Sequence, residues 1–420
     1  GRVFTPKQPF ADAPDRRLVL GLLHDRQGRV IDECLGVVCR APHSYTGEET
    51  VELQCHGSPA MLAAGLEALL AAGARQAGPG EFTRRAFLNG KLDLTQAEAV
   101  VDLIDAETAD AAANAAGQRG GALKRAIEPV YDGLTDLCSH FHAVLDYPDE
   151  DIEDFGAAEL SGALDRAGAA LQELLATYEK GRHLRQGVRA VLLGKPNAGK
   201  SSLLNRLAGY DRVIVTDIAG TTRDTVEEPV RVGRVLLRLT DTAGIREAGD
   251  AIEALGVARS EQAAREAELA LFVCDASQPL TDEDRRAIEA AKCAPRSLAL
   301  CNKSDLPAAI SPDELPFDTV LTVSARTGAG LDALPALLEG WFLGENACDG
   351  SLLTNPRQFG ALDRASRAIE RAKMGLSLGV TPDAVLTDVE EAMAALGEVT
   401  GRTVREDITN RIFERFCVGK

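Results

Sequence analysis

A glycine-rich loop near the middle of the chain sets the strongest limit on its fold. Residues 194–201 read GKPNAGKS, which fits the pattern G-x-x-x-x-G-K-[ST]. The loop follows an apolar run, Val188–Leu193, and precedes a helical pattern that begins at Lys200. Its glycines let the backbone curl so that N–H groups face phosphate oxygens, and the positive end of the helix dipole adds to the attraction. A nucleotide-binding α/β domain is therefore expected here.

Short apolar runs alternate with amphipathic segments throughout this part of the chain. The predicted strands are Val188–Leu193, Val235–Thr240, Leu269–Cys274, Ser297–Cys301 and Thr319–Val323. The predicted helices are Lys200–Leu207, Ala251–Glu266, Asp282–Ala291 and Leu331–Phe342. This alternation predicts a mostly parallel sheet that is covered by helices on both faces.

The flanking segments have a different character. The first 88 residues predict strands Leu18–Leu23, Val30–Arg40 and Glu49–Cys55 and one helix, Pro59–Ala72. Thr95 and Glu98 have capping-box spacing and open an Ala-rich helical region that runs to Tyr147. Helical periodicity continues over Ala157–Gln186 and, after the α/β domain, over Arg357–Leu378, Pro382–Val399 and Arg402–Phe416.

Four further motifs point to a guanine nucleotide. Asp241-Thr242-Ala243-Gly244 follows a predicted strand, where an Asp can hold the Mg²⁺ shell and a Gly N–H can sense the γ-phosphate. Thr221 and Thr222 lie in a polar loop and can complete Mg²⁺ coordination. Asn302-Lys303-Ser304-Asp305 supplies a carboxylate that can accept from N1 and N2 of guanine, and Ser324-Ala325-Arg326 can close over the base. The domain is thus predicted to bind and hydrolyse GTP.

The residue that orients the attacking water is not settled by these motifs. Ile245 follows Gly244, where Ras-type enzymes carry a Gln, and an aliphatic side chain cannot orient water. Glu253 could do so, but the residues alone do not favour it over Glu247 or Glu261.

We therefore predict a multidomain α/β fold with a Ras-like P-loop GTPase domain inserted into an all-α domain. The predicted boundaries are 1–89 for an N-terminal α+β domain, 90–186 and 346–420 for the two parts of the helical domain, and 187–345 for the inserted domain.

Composition limits the partners and the cellular compartment that can be expected for this chain. The net charge of -18 disfavours non-specific attraction to nucleic acid, so an RNA substrate requires local basic patches or a partner protein. The nine Cys contain no CxxC pair, which fits a reducing cytoplasm and argues against structural zinc. No apolar run is long enough to span a membrane. The first residue is not Met, so we expect a fragment or a chain without its first segment.

Four sequence segments resemble one family. Residues 43–48 read HSYTGE, 79–91 read PGEFTRRAFLNGK, 220–224 read GTTRD and 417–420 read CVGK. With the motifs above, the chain resembles the MnmE (TrmE) family of tRNA modification GTPases over essentially its whole length. The central motifs alone would also fit ribosome-assembly GTPases of the TrmE-Era-EngA type.

The resemblance implies a folate-binding, dimerising first domain. The family-matched folate contacts are Glu52, Lys91 and Lys420. An Arg that the family uses lies before residue 1, so the site looks incomplete, and Cys55 stands where the family often has Gly. The implied one-carbon donor is 5-formyl- or methylene-tetrahydrofolate.

The resemblance also assigns roles around the nucleotide. Mg²⁺ would bind Ser201 and Thr222, and K⁺, in place of an arginine finger, would bind Asn197, Thr216, Ile218 and Thr221. Glu253 matches the family's water-orienting acid, and Cys417 is its suspected catalytic thiol. The implied GTP-binding residues are Asn197, Ala198, Gly199, Lys200, Ser201, Ser202, Thr216, Asp217, Ile218, Ala219, Gly220, Thr221, Thr222, Asp241, Thr242, Ala243, Gly244, Asn302, Lys303, Asp305, Ser324, Ala325 and Arg326.

The implied overall reaction adds an aminomethyl or carboxymethylaminomethyl group at C5 of the wobble uridine of certain tRNAs. A flavoprotein partner, MnmG, would supply FAD and use NADH, with the GTPase as a homodimer. Two other hypotheses stay open: a ribosome-assembly GTPase, which the acidic composition disfavours, and a GTP-switched scaffold without chemistry of its own.

Overall fold

The computed structural model describes residues 2–7, 14–146, 157–210, 227–240, 253–344, 349–403, 412–413 and 416. The chain divides into two compact units. The first comprises Gly1–Val101, Gln118–Gly168 and Arg364–Lys420, and the second comprises Asp102–Gly117 and Ala169–Asp363. Within the described ranges, no helix combines the length and the apolar character that crossing a membrane requires.

The first unit contains a four-stranded antiparallel sheet in the order β1-β2-β3-β4. Its strands are β1 (Phe4–Pro6), β2 (Val19–His24), β3 (Val30–Cys39) and β4 (Thr50–Gln54). Helix α1 (Pro59–Ala71) packs on β2 and β3. The predicted strands and helix are confirmed here, but β1 was not predicted, because three residues ending in a proline are too short to show an alternating pattern.

The helical region after this sheet is divided into separate helices. They are α2 (Glu81–Leu88), α3 (Leu94–Ile104), α4 (Ala109–Arg119), α5 (Ala122–Asp146), α6 (Ala157–Ala176) and α7 (Tyr178–Gln186). The chain breaks between α3 and α4, where Thr108 Oγ1 accepts from Ala111 N at 3.1 Å, and again at Gly121, which has a φ of 83°.

The start of α3 differs from the predicted capping box. Asp93 Oδ1 accepts from Gln96 N at 2.9 Å, and Gln96 Oε1 accepts from Asp93 N at 3.0 Å. This is the reciprocal arrangement of a capping box, but it is made by Asp93 and Gln96 and not by Thr95 and Glu98. Thr95 instead donates its hydroxyl to Asp93 Oδ1 at 2.6 Å, so the predicted pair was wrong.

The second unit contains a six-stranded sheet in the order β10-β9-β8-β5-β7-β6. The strands are β5 (Val188–Leu193), β6 (Glu227–Val232), β7 (Val235–Thr240), β8 (Leu269–Asp275), β9 (Arg296–Asn302) and β10 (Val320–Thr322). The helices between them are α8 (Lys200–Tyr210), α9 (Glu253–Glu266), α10 (Asp282–Ala291) and α11 (Ala333–Phe342). Every strand pair is parallel except β6 with β7, which confirms the predicted mostly parallel sheet.

Alternation along the central strands creates two hydrophobic layers. In β8, Leu269, Leu271 and Val273 belong to one buried cluster, whereas Ala270 and Phe272 belong to the other. Residues of α8 and α11 complete the first cluster, and residues of α9 and α10 complete the second. Helices therefore cover both faces of the sheet, as the sequence predicted.

Strand β6 was not predicted. It reads EEPVRV and, among the described strands, pairs with β7 at the edge of the sheet. Only two apolar residues, Val230 and Val232, face the core, and the two acidic residues and Pro229 before them weaken the strand signal in the sequence. An edge strand tolerates a proline because its outward N–H groups need no partner in the sheet.

Two long helices follow the sheet, α12 (Pro356–Ser377) and α13 (Pro382–Thr400). Thr381 is the N-cap of α13 and Pro382 occupies its first turn, as predicted. The proposed helix Arg402–Phe416 lies largely outside the described residues. The domain boundaries after residues 89, 186 and 345 stay predictions.

Candidate functional site

The candidate site lies at the carboxyl edge of the second sheet. Strand β5 pairs in parallel with β7 on one side and with β8 on the other, so the chain changes winding direction at β5. In open α/β sheets, ligands bind at such a switch point, outside the carboxyl ends of the strands. The loops after β5, β8, β9 and β10 meet at this edge because the four strands are parallel.

The backbone of the loop after β5 requires glycine at two positions. Gly194 has a φ of 144°, and a Cβ there would lie 2.1 Å from Val273 O. Gly199 has a φ of 98°, and a Cβ there would lie 2.2 Å from Asn302 Nδ2. Asn197 also adopts a positive φ, 62°, which Asn tolerates better than most residues. The two glycines therefore let the loop curl tightly against β8 and β9.

Lys200 places a positive charge inside this curl. Its Nζ donates to Gly194 O at 2.5 Å and to Lys195 O at 2.9 Å. Lys200 also begins α8, with Ser201 and Ser202 exposed in the first turn. An ammonium group beside a helix N-terminus attracts anions through both its charge and the helix dipole.

A buried ion pair that was not predicted from the sequence anchors the loop to α10. Lys195 Nζ lies 2.9 Å from Asp284 Oδ2, and the two side chains are 11% and 1% exposed. Burial alone raises the pKa of Asp284, but the Lys195 pair and hydrogen bonds from Thr281 lower it below its usual value. Thr281 and Asp284 also form the capping box of α10. Their spacing was visible in the sequence, but the distant partner Lys195 was not.

Asn302 links the loop after β5 to the loop after β10. Its Nδ2 donates to Ala198 O at 2.8 Å, and its Oδ1 accepts from Ala325 N at 2.9 Å. The residue is 1% exposed. Because both ends of the amide bind main-chain groups, Asn302 braces two parts of the site.

Asp305 presents the carboxylate that was predicted to read guanine. Its Oδ1 accepts from Ser324 Oγ at 2.6 Å, and its Oδ2 lies 2.9 Å from Arg326. The hydrogen bond from Ser324 is the main cause that holds the pKa of Asp305 below its usual value, with Arg326 and Lys303 adding their charges. The carboxylate is therefore ionised at neutral pH, as an acceptor of two N–H donors must be.

Lys303 is held by a second carboxylate, that of Asp275, which was not predicted as a site residue. Its φ is 65°, and its Nζ lies 2.7 Å from Asp275 Oδ2. Burial by itself raises the pKa of Asp275, but Lys303 and two hydrogen bonds from Ser277 lower it. Asp275 is the last residue of β8, one position beyond the predicted end of that strand.

Several predicted site residues are not placed by the structure. Glu253 begins α9 by its backbone, and its side chain is not described. Lying outside the described residues are Thr216, Asp217, Ile218, Ala219, Gly220, Thr221, Thr222, Asp241, Thr242, Ala243, Gly244, Cys417 and Lys420.

In the first unit, two of the four segments that carry the family resemblance pack against each other. Tyr45 Oη lies 3.0 Å from Thr83 Oγ1, Arg85 pairs with Glu48 at 2.8 Å, and Asn89 Nδ2 donates to Thr46 O at 2.8 Å. Residues 43–48 and 79–91 therefore form one structural feature.

The two predicted folate contacts in the described ranges lie in the same unit. Lys91 donates to Pro42 O at 3.0 Å, and Glu52 lies exposed on β4.

Comparison with known proteins gives matches over nearly the whole chain. The family model of the MnmE helical domain matches residues 94–417, and that of the GTP-binding protein TrmE N-terminus matches residues 2–91. A tRNA modification GTPase MnmE of Roseiflexus sp. (strain RS-1) is 45% identical over 435 residues, covering 100% of this chain and 93% of the relative. The protein of that name from Aquifex aeolicus (strain VF5) is 42% identical over 404 residues, covering 95% and 89%.

Among solved structures, the G domain of the T. maritima FeoB iron transporter is similar to a smaller part. It is 24% identical and covers 36% of this chain and 94% of that one, at a TM-score of 0.27, which is too low to support a further conclusion. The two family models and the near-full-length relatives agree: the chain belongs to the MnmE (TrmE) family of tRNA modification GTPases.

Proposed function

We propose that this chain binds and hydrolyses GTP and that hydrolysis serves the modification of tRNA. The observation that carries the proposal is the pairing of two features at one sheet edge: the curled loop with Lys200 and the ionised carboxylate of Asp305. Asn302 bonds to both surrounding loops and sets the distance between them. A loop that can bind phosphates and a carboxylate that can accept from two N–H groups of the base, held at a set separation, suit a guanine nucleotide.

The described residues fit the proposed metal ions. Ser201 is exposed in the first turn of α8, directly after Lys200, where its hydroxyl can bind Mg²⁺ together with Thr222. Asn197 is exposed at the bend of the loop, where its amide oxygen can bind K⁺ together with Thr216, Ile218 and Thr221. Bound there, the two cations would neutralise the negative charge that develops between the β- and γ-phosphates.

The chain's own residues would bind and orient the reactants. Lys200 would move from the loop carbonyls Gly194 O and Lys195 O to the phosphate oxygens, exchanging neutral acceptors for charged ones. Asp305 would accept from N1 and N2 of guanine. Glu253 is proposed to orient the attacking water, the task that Ile245 cannot perform.

The remaining steps are proposed from family membership. They comprise transfer of an aminomethyl or carboxymethylaminomethyl group to C5 of wobble uridine and a tetrahydrofolate donor on Glu52, Lys91 and Lys420. They also comprise a flavoprotein partner, MnmG, that carries FAD and uses NADH, assembly as a homodimer, and a cytoplasmic location. Cys417 is proposed as a reactive thiol. The net charge of -18 makes a partner that contributes positive charge to tRNA binding physically reasonable.

Two measurements test the proposal at separate levels. Calorimetry with GDP should show binding to the wild-type chain and much weaker binding to Lys200→Ala, while Lys292→Ala, an exposed lysine paired with Glu289, should bind as the wild type does. Absence of binding by folded wild-type protein would contradict the nucleotide site.

Mass analysis of wobble uridine should then be done in cells that lack the gene. Modification should be lost and restored by the wild-type gene, but not by Lys200→Ala. Unchanged modification in the deletion strain, with nucleotide binding intact, would reject the tRNA role and favour a ribosome-assembly GTPase or a scaffold.

A further inference from the structure

Three ligand-type side chains meet on the sheet of the first unit, far in sequence from the nucleotide motifs. One carboxylate oxygen of Asp32 and the sulfur atoms of Cys34 and Cys55 all lie within 4.8 Å of one another. Asp32 and Cys34 are two residues apart on β3, so their side chains share a face of the sheet. Cys55 directly follows β4.

Strand register explains why the two thiols meet. Leu35 lies opposite Gln54 in the antiparallel β3–β4 pair. Continuing that register by one residue places Cys34 opposite Cys55. Residues opposite each other in such a pair have Cβ atoms about 4.5–5.5 Å apart and face the same side.

Of the two thiols, that of Cys34 is the more deeply buried. Cys34 is 3% exposed and lies in the apolar core with Leu23 and Ala68. Burial, the Cys55 thiol and the Asp32 charge raise the pKa of Cys34 to about 12.

His56 holds that carboxylate in place and ionised. Its backbone N donates to Asp32 Oδ2 at 3.0 Å, and its ring Nδ1 lies 2.8 Å from Asp32 Oδ1. The backbone hydrogen bond first, and the ring second, lower the pKa of Asp32. The Asp32 side chain is only 10% exposed, whereas the His56 side chain is 82% exposed. A nearly buried carboxylate, oriented by His56, thus lies beside two thiols.

We propose that Asp32, Cys34 and Cys55 bind a zinc ion, with water as the fourth ligand and His56 as the partner that orients Asp32. Two soft sulfur ligands select zinc over magnesium or calcium. Ion binding releases the two thiol protons. The two thiolates and the carboxylate then carry three negative charges, of which Zn²⁺ neutralises two. Hydrogen bonding of a ligating carboxylate by a second group is usual in zinc sites.

The geometry needs only a small contraction. Zn–S distances of about 2.3 Å and Zn–O distances of about 2.0 Å place tetrahedral ligand atoms about 3.5–3.8 Å apart. Side-chain rotations of the two cysteines can close the present spacing. The ion would tie β3 to the segment between β4 and α1, so it should also raise the thermal stability of the first unit.

The site is separate from the proposed folate contact on the same strand. Cys55 and Leu53 contact the apolar cluster, whereas Glu52, one residue from Leu53, is exposed on the other face of β4.

Cobalt titration of the full chain tests the proposal. Protein freed of metal by a chelator and kept reduced with a phosphine should bind one Co²⁺ per chain, with sulfur-to-cobalt charge-transfer absorption that Zn²⁺ then removes by displacement. Cys34→Ser and Cys55→Ser should each abolish this absorption. Cys39→Ser, further along β3, should leave it unchanged. His56→Ala should lower the affinity about 10–100-fold and keep the absorption.

Two results would overturn the proposal. One is cobalt absorption that is absent, or that survives in both Cys34→Ser and Cys55→Ser while circular dichroism shows folded protein. The other is a Cys34–Cys55 disulfide, found by mass spectrometry in protein whose thiols were blocked at cell lysis. Should Cys55→Ser not fold, Cys55→Ala, which also removes the sulfur ligand, serves in its place.

Discussion

At the scale of single residues, the proposed nucleotide site depends on side chains that are positioned by residues of another loop. Asp305 follows β9, but Ser324 and Arg326, which position it, follow β10. The motif containing Asp305 indicates guanine by itself. Its orientation and its lowered pKa come from a hydroxyl donor that only the fold brings near.

Replacing Asp305 by Asn should change which base is bound. The amide would offer one acceptor and a donor in place of two acceptors, so preference should shift from guanine to xanthine nucleotides. Competition between GDP and XDP for a fluorescent nucleotide measures this shift. Asp313→Asn, an exposed aspartate in the turn Pro312–Glu314, is the matched control. Retained guanine selectivity in Asp305→Asn would mean that another residue reads the base.

At the scale of elements, helix α7 packs so closely against the segment around Leu353 that there is no space for a side chain at the contact. A Cβ on Gly181 would lie 2.2 Å from Leu353 O, and Thr177 Oγ1 accepts from Leu353 N at 3.0 Å. On α4, a Cβ on Gly117 would lie 2.0 Å from Asp349 O. The segment that follows the second sheet thus runs against two helix glycines within one unit.

Gly181→Ala should destabilise the second unit, because a backbone carbonyl cannot yield as a side chain can. We expect a loss of about 1–3 kcal/mol in the free energy of unfolding, as for other overpacked sites. Gly360→Ala, inside α12 and with nothing within 4 Å of its Cβ position, should instead gain up to about 1 kcal/mol. Denaturant unfolding of both variants checks the signs. Equal changes in unfolding free energy for the two variants would show that helix propensity alone determines the effect of the added methyl group.

Glu268 joins α7 to the start of β8. It pairs with Arg182, lies 3.1 Å from His183 Nε2 and accepts from Arg189 N at 3.1 Å. Burial alone raises its pKa, but the hydrogen bonds from His183, Arg182 and Arg189 together lower it to about 2.

This lowered pKa predicts an acid-sensitive contact. Because the folded pKa lies below the unfolded one, the contact stabilises fully above about pH 4.5 and is lost as the pH falls towards 2. Unfolding free energies measured across this window should fall less steeply for Glu268→Gln than for the wild type. Glu266→Gln, an exposed neighbour on α9, should keep the wild-type slope. A wild-type slope in Glu268→Gln would assign the acid sensitivity to other carboxylates.

At the scale of the whole molecule, the proposed potassium requirement is the broadest test of the nucleotide mechanism. GTP turnover should be about 10²-fold or more faster in K⁺ than in Na⁺, as expected for an electrostatic group acting on the transferred phosphate. Asn197→Ala should remove most of this difference. Steady-state turnover at matched ionic strength measures it. Equal wild-type rates in the two salts would remove potassium from the mechanism.

Local pattern accounts for most of what could be predicted of the fold and the nucleotide site. Strands β5 and β7 and helix α10 have the predicted bounds, because a buried strand or an amphipathic helix carries its signal within a few residues. Strand β6 and the Asp93–Gln96 cap escaped prediction, because a polar edge strand and a displaced cap give weak or competing local signals.

The sequence by itself predicted most of the strands and helices, the proposed phosphate loop and the preference for guanine, since each is encoded in neighbouring residues. Only the tertiary structure decided which distant side chains meet: Lys195 with Asp284, Leu353 with Gly181, and Cys34 with Cys55. Strand register and helix packing set those pairings, and both depend on contacts between residues far apart in the chain. The cysteine spacing argued against a zinc site, whereas the β3–β4 register brings its proposed ligands together.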